Sequence, residues 1–459
     1  MVKEPEAMGQ AKKTKQLRWW NPRRLPLPKG PYVVGCVDVM TGSSASGCFI
    51  RLHYPTSLRD AKAHKRNWPK WFMGKDYFEG FVDSMNLNPP SAQYIKLILG
   101  GIKIPAVWRE PPLGRGVTPG EGEESPGSAD EKCKGGARGP PPPPLDTLPV
   151  AFLSHGLGAC RFSYSTICLE MASRGFVVVA VEHRDHTACS TYYLVPEESG
   201  ELRREHLEFW KLEKKEYTLR NRQAHLRSAE IRRAVDLMED INEGRPVHNL
   251  LDPTFPFQDF QGRLDFSKAV IIGHSFGGAT TLLSLAKDPR LRIGIALDAW
   301  MYPVKRVADL PLRLSTQPIL FVNMQYFQKR HNLDEMRRLL EMATSPEVVP
   351  EGTPSPERRV VTIRHAIHED QSDSAYFIGW PFGIVVGQQS VAPSPLVSSV
   401  NTRLILQFLS KQIDSVDLGE HERFLAKWKW LLKEGLPAEE DKGECSTSDS
   451  GSEVGSTTS

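Results

Sequence analysis

At 459 residues, 40% hydrophobic, 25% charged and with a formal net charge of +3, the chain has the make-up of a globular protein whose overall charge gives no support to a nucleic-acid role. No apolar run reaches the about 20 residues that a bilayer-spanning helix needs; "YFIGWPFGIVVG" (376–387) comes nearest and is broken by Pro381 and several glycines. The 7 cysteines, an odd number with no CxxC pair, argue against a zinc site and a disulfide framework, and for free thiols in a reducing compartment.

Taken in chain order, residues 1–29 form a basic arm in which Lys12, Lys13, Lys15, Arg18, Arg23, Arg24 and Lys29 surround Trp19 and Trp20. No signal-peptide core follows it, so a cytoplasmic chain with a flexible arm is expected. Alternating "YVVGCVDVM" (32–40) and "CFIRLHYP" (48–55) predict an antiparallel hairpin at a sheet edge. Residues 109–147, rich in Gly, Pro, Glu and Ser, bury too little apolar surface to offset ordering and predict a flexible insertion. Short apolar runs then alternate with amphipathic segments. Strands are expected at 149–156, 176–182, 269–273, 293–300, 318–324 and 359–365. Helices are expected at 163–175, 217–243, 276–287, 331–343 and 400–413. These strand runs do not alternate, the mark of strands buried on both faces. The pattern predicts an open, doubly wound, mostly parallel α/β sheet in one domain over 30–435, followed by an acidic, disordered tail over 436–459.

The seam between strand 269–273 and helix 276–287 reads Gly273-His274-Ser275-Phe276-Gly277. Gly-x-Ser-x-Gly at a strand-to-helix turn is the nucleophile elbow, whose tight backbone requires small residues two before and two after the serine. A serine needs a base, and the base needs an acid to fix its tautomer. In this fold the order is Ser, Asp or Glu, His. "GIALDAW" puts Asp298 at the carboxyl end of the next strand, and "HAIHEDQSD" offers His365, still within the strand, and His368, in the loop beyond. The oxyanion hole needs two backbone N–H groups: Phe276, after the nucleophile, and Leu157 in the Gly-rich "SHGLGA" (154–159) are the candidates. "EHRDH" (182–186), at a strand end, is read as a local ion pair of Arg184 with Asp185 or Glu182.

"SHGLGACRFSYS", "GFVVVAVEHRDHTACSTYY", "VIIGHSFGGAT", "GIALDAWMYP" and "VTIRHAIHEDQSDSAYF", in this order, resemble the platelet-activating factor acetylhydrolases, plasma and intracellular type II. The resemblance covers residues 30–108 and 148–432. It implies an α/β-hydrolase fold with Ser275 as nucleophile, Asp298 as acid, His368 rather than His365 as base, and Leu157 and Phe276 as oxyanion donors. It also implies a calcium-independent esterase, without metal or cofactor, that removes short or oxidised sn-2 acyl groups from phospholipids. "SAQYIKLILGGIKIPAVW" (91–108) resembles the family's surface-binding helix, which would bring Tyr94, Ile95, Ile98 and Leu99 to a membrane; a core helix fits the same composition. The chain departs from the family in its insertion, its acidic tail, its lack of a secretory signal, and Val2, which excludes myristoylation at that position. A broad carboxylesterase or lipase, and a lipid-binding pseudohydrolase, are the rival expectations.

Overall fold

The computed structural model describes residues 24–120, 142–211, 216–343, 356–377, 391–414, 417 and 419–437. Its strands are β1 (Val34–Met40), β2 (Phe49–Pro55), β3 (Val107–Trp108), β4 (Leu148–Ser154), β5 (Val177–Val181), β6 (Thr191–Pro196), β7 (Leu202–Leu207), β8 (Leu264–His274), β9 (Leu291–Leu297), β10 (Ile319–Met324), β11 (Arg358–Ile363) and β12 (Leu432–Glu434). The helices are α1 (Lys75–Ser84), α2 (Pro89–Leu99), α3 (Ser165–Ala172), α4 (Tyr217–Asn242), α5 (Phe276–Lys287), α6 (Leu310–Arg313), α7 (Arg330–Ala343), α8 (Ser394–Ser410) and α9 (Glu422–Lys427).

All strands except β6 and β7 join one sheet of 10 strands, in the order β12-β11-β10-β9-β8-β4-β5-β2-β1-β3. From β11 to β5 the pairing is parallel throughout, and β4 and β5 are buried at every residue. That double-sided burial is why their sequences run apolar without alternation. The architecture is the α/β-hydrolase fold. The expected hairpin is present as β1 and β2, with β2 antiparallel to β5. It is not the rim itself, because β3 adds outside β1. A buried ion cluster fastens the hairpin to the loop after β4: Arg51 and Arg161 both bind Asp38, at 2.6 and 2.7 Å, and Arg161 also binds Glu182 at 3.1 Å. Burial pushes the Asp38 carboxyl pKa up, but the two guanidinium groups outweigh it and hold the group well below the usual carboxylate range.

Several expectations need correction. α2 is shorter than 91–108 and ends at Leu99; its N-cap Asn88 accepts the Ser91 N–H, with Pro89 and Pro90 in the first turn, where no backbone donor is lost. Ile95 and Leu99, four apart on one face, are 0% and 2% exposed and pack into the core, so they are not membrane contacts. The side chains of Tyr94 and Ile98 lie outside the described residues. Of the arm 1–29, residues 1–23 lie outside the described residues, and Leu25 is fully buried. The stretch 109–147 is packed at both ends: Leu113 and Leu145 are core residues, and Arg263 donates to both of their carbonyls. Its middle, 121–141, and the tail 438–459 lie outside the described residues, as does most of the apolar run 376–387. α8 begins at Ser394, six residues before its expected start, because Pro395 is tolerated in a first turn. No helix among the described residues is long and apolar enough to cross a membrane.

Candidate active site

The β8–α5 junction turns on Ser275, at φ 58° and ψ −116°, a backbone region that L-residues rarely occupy. Three glycines make that turn possible. A Cβ on Gly273 would stand 2.0 Å from the Gly277 carbonyl oxygen, one on Gly277 would stand 2.1 Å from the Ser154 carbonyl oxygen, and one on Gly278 would stand 2.7 Å from Ala299 Cα. The Ser275 N–H donates to the Leu297 carbonyl at 2.8 Å, and the Trp300 N–H donates to the Ser275 carbonyl at 2.9 Å. The elbow is thereby stitched to the carboxyl end of β9, on either side of Asp298.

Asp298 lies one residue beyond β9, with φ 43°. Its Oδ1 accepts the Met324 N–H at 2.6 Å, and its Oδ2 is 3.0 Å from Nδ1 of His368. Burial pushes the Asp298 carboxyl pKa up, and the bonds from His368 and Met324 only partly oppose it. The imidazole of His368 is flanked by Phe327, stacked at 3.7 Å between centroids, and by His274, at 4.2 Å. His274 is the residue before the elbow serine, so the His368 ring stands against the turn that carries Ser275. No hydrogen bond among the described residues joins Ser275 Oγ to His368; such contacts are commonly long without substrate. His365 lies outside the strand, which ends at Ile363; it takes φ 60°, and its N–H donates to Gln325.

The backbone N–H groups of Leu157 and Phe276 donate to no acceptor among the described residues. Gly156 lies against Ser275, since a Cβ on it would meet Ser275 Cβ at 3.3 Å. Two buried side chains hold this strip. Arg227, on α4, donates to the His155 carbonyl at 2.6 Å and lies over the Phe276 ring at 4.4 Å. Tyr164 Oη accepts the Gly156 N–H at 3.1 Å and lies 2.8 Å from Nδ1 of His274. Burial keeps the His274 pKa well below the usual histidine range, with nearby His368 lowering it further, so this ring is neutral. Motif reading missed Arg227 and Tyr164, because their partners are distant in sequence. The "EHRDH" reading is corrected too: Asp185 pairs with Arg227 at 3.0 Å, Glu182 with Arg161, and Arg184 donates to the carbonyls of Ser44 and Gly47.

A second serine–histidine–carboxylate chain, with Glu as its acid, runs from Ser154 Oγ to His183 Nε2 at 2.7 Å, and from His183 Nδ1 to Glu230 Oε2 at 2.7 Å. Ser154 and His183 are both 0% exposed, so no substrate carbonyl can reach that hydroxyl. It ties the end of β4, which leads into the Leu157 turn, to α4. Among the described residues, one group has metal-ligand spacing: His274, Asp298 and His368, whose atoms lie within 4.8 Å of one another. Two of the three already bind each other.

Comparison with known proteins gives a consistent result. Residues 20–116 and 127–426 match the model of the family described as platelet-activating factor acetylhydrolase, isoform II. A protein named platelet-activating factor acetylhydrolase from Cavia porcellus is 32% identical over 391 residues, covering 85% of this chain and 78% of its own. One of the same name from Gallus gallus is 33% identical over 368 residues, covering 78% and 76%. Among solved structures, a ferulic acid esterase from Streptomyces cinnamoneus matches with a TM-score of 0.51 at 15% identity, covering 85% of this chain and 93% of its own, a likeness of fold alone.

Proposed function

The chain belongs to the platelet-activating factor acetylhydrolase family, and from that premise we propose that it hydrolyses the sn-2 acyl ester of platelet-activating factor and related phospholipids through Ser275, His368 and Asp298. The observation that carries the site assignment is the 3.0 Å contact of His368 Nδ1 with Asp298, beside a serine in elbow geometry.

Ser275 Oγ attacks the ester carbonyl carbon as its proton passes to Nε2 of His368. Asp298 keeps the Nδ1 proton of the imidazole in place and stabilises the cation that forms. The carbonyl π electrons move to oxygen, and that oxyanion accepts the free N–H groups of Leu157 and Phe276. Collapse of the tetrahedral adduct breaks the bond to the glycerol oxygen, which leaves as lysophospholipid with the proton from His368. Water then gives a proton to His368 and attacks the acyl-enzyme. Carboxylic acid leaves and Ser275 recovers its proton. No step calls for a metal.

Five described cysteines, Cys36, Cys48, Cys160, Cys168 and Cys189, are free and buried, which supports a reducing compartment for the chain. The deciding experiment compares turnover of acetyl and long-chain sn-2 phospholipids with a triacylglycerol, with and without a calcium chelator. Preference for the acetyl phospholipid, unchanged by the chelator and reduced by about 10⁴-fold or more in Ser275→Ala, is the expected outcome. Full activity in Ser275→Ala would falsify the assignment.

A further inference from the structure

One cavity lies away from the residues proposed to react. It encloses about 990 Å³ and is lined from the segment before α1, from α1 and α2, and from Trp108 on the edge strand β3. The sheet places β3 five strands from β8, so at about 4.8 Å per strand Trp108, on the cavity's outer side, is on the order of 24 Å from the elbow. None of Leu157, Ser275, Phe276, Asp298 or His368 lines it.

Its wall and its mouth differ in chemistry. Phe72, Met73, Phe78 and Trp108 supply an apolar wall, and Trp68 adds an indole whose buried Nε1–H has no acceptor among the described residues. The mouth carries the exposed cations Arg66, Lys70, Lys75 and Lys96 against one carboxylate, Glu79. Glu79 is already 3.4 Å from Lys75, and Lys96 Nζ lies 5.9 Å from the centre of the Phe78 ring. Arg66 and Lys70 have no carboxylate partner among the described residues. A volume suited to a single ligand, apolar inside and positive at its opening, complements a molecule with a hydrocarbon chain and a negatively charged head. Neither a free anion, which leaves the apolar wall unused, nor a zwitterionic headgroup, which leaves the cations uncompensated, fits it as well.

We propose that this cavity seats an acyl chain of an anionic phospholipid, its phosphate held at the rim by Arg66, Lys70, Lys75 and Lys96, as a lipid site separate from the catalytic centre. Occupancy bears on α1, which supplies Lys75, Phe78 and Glu79 to the cavity and ends at Ser84. A Cβ on Gly158, next to the Leu157 donor, would lie 3.5 Å from Ser84 Cβ. The seated lipid therefore grips the helix whose far end abuts the oxyanion strip.

The test uses decyl phosphate, an anionic amphiphile without a carboxylic ester, titrated calorimetrically below its critical micelle concentration into the full chain. Decylphosphocholine and inorganic phosphate are titrated in parallel. Saturable binding of decyl phosphate is expected, weakened about tenfold or more by the double substitution Arg66→Ser with Lys70→Ser. Decylphosphocholine binding and turnover of a soluble acetyl ester should stay unchanged in that variant. Phe78→Ser should weaken decyl phosphate as well, through loss of the apolar wall. Phosphatidylcholine vesicles doped with phosphatidylglycerol should sediment the wild type more completely than the double variant. Equal binding of decyl phosphate by wild type and double variant would overturn the proposal. So would inorganic phosphate binding as tightly as the amphiphile, which would make the rim a phosphate site only.

Discussion

Tyr164 is not one of the residues proposed to react, yet it connects the Gly156–Leu157 strip to the ring packed against His368. Its hydroxyl takes the Gly156 N–H, holding the strip that leads to Leu157, and lies 2.8 Å from Nδ1 of His274. His274 is a neutral spacer between that strip and the His368 ring. Tyr164 is a positioning residue, and Tyr164→Phe separates that role from packing, since only the hydroxyl goes. The Gly156 N–H is left without its acceptor, which costs about 1–2 kcal/mol of stability. Because the oxyanion develops only in the transition state, kcat should fall about 10- to 100-fold with KM little changed. A rise in KM at constant kcat would show that the hydroxyl serves substrate binding instead. None of this was legible in the sequence, because a tyrosine and a histidine 110 positions apart carry no joint motif.

At the scale of elements, the β8–α5 turn tests the fold and the chemistry together. Gly273→Ala drives a methyl group into the Gly277 carbonyl, backbone that cannot swing aside. We expect a loss of about 3 kcal/mol or more, read as a lower Tm, and loss of Ser275 labelling by a fluorophosphonate. Labelling at the wild-type rate would mean that the turn relaxes without disturbing the nucleophile. This junction was legible because its signals are local: an apolar strand run, the glycine spacing and a helix-forming run meet within twenty residues. α2 was not. An apolar stripe at helical spacing looks the same whether it faces lipid or a sheet, and only the fold shows Ile95 and Leu99 turned inward, with Leu97 84% exposed. β7 hid for a different reason, since "LRREHL" is mostly exposed and gains its strand character from pairing with β6. β12, three residues long, is shorter than any pattern can flag.

For the molecule as a whole, the titration of Glu230 links stability to pH. It is buried beside His183, and burial raises its pKa from 4.5 to about 7. The native chain therefore holds this proton more tightly than the unfolded chain does. Its stabilising contribution is complete below about pH 4.5 and is lost as pH rises through about 7, a span on the order of 3 kcal/mol. Glu230→Gln keeps an acceptor for the Arg184 N–H and removes the titration. In denaturant unfolding it should be more stable than wild type at pH 8, with the difference shrinking toward pH 5. A constant gap across that range would place the titrating group elsewhere. The strand that covers β11 is supplied by residues 432–434, so a ribosome must add about seventy residues beyond β11 before Val361–Ile363 find their outer partner. Nascent chains that stall earlier carry the serine but leave a bare strand edge open to self-association, which makes late translational arrest a hazard for this sheet.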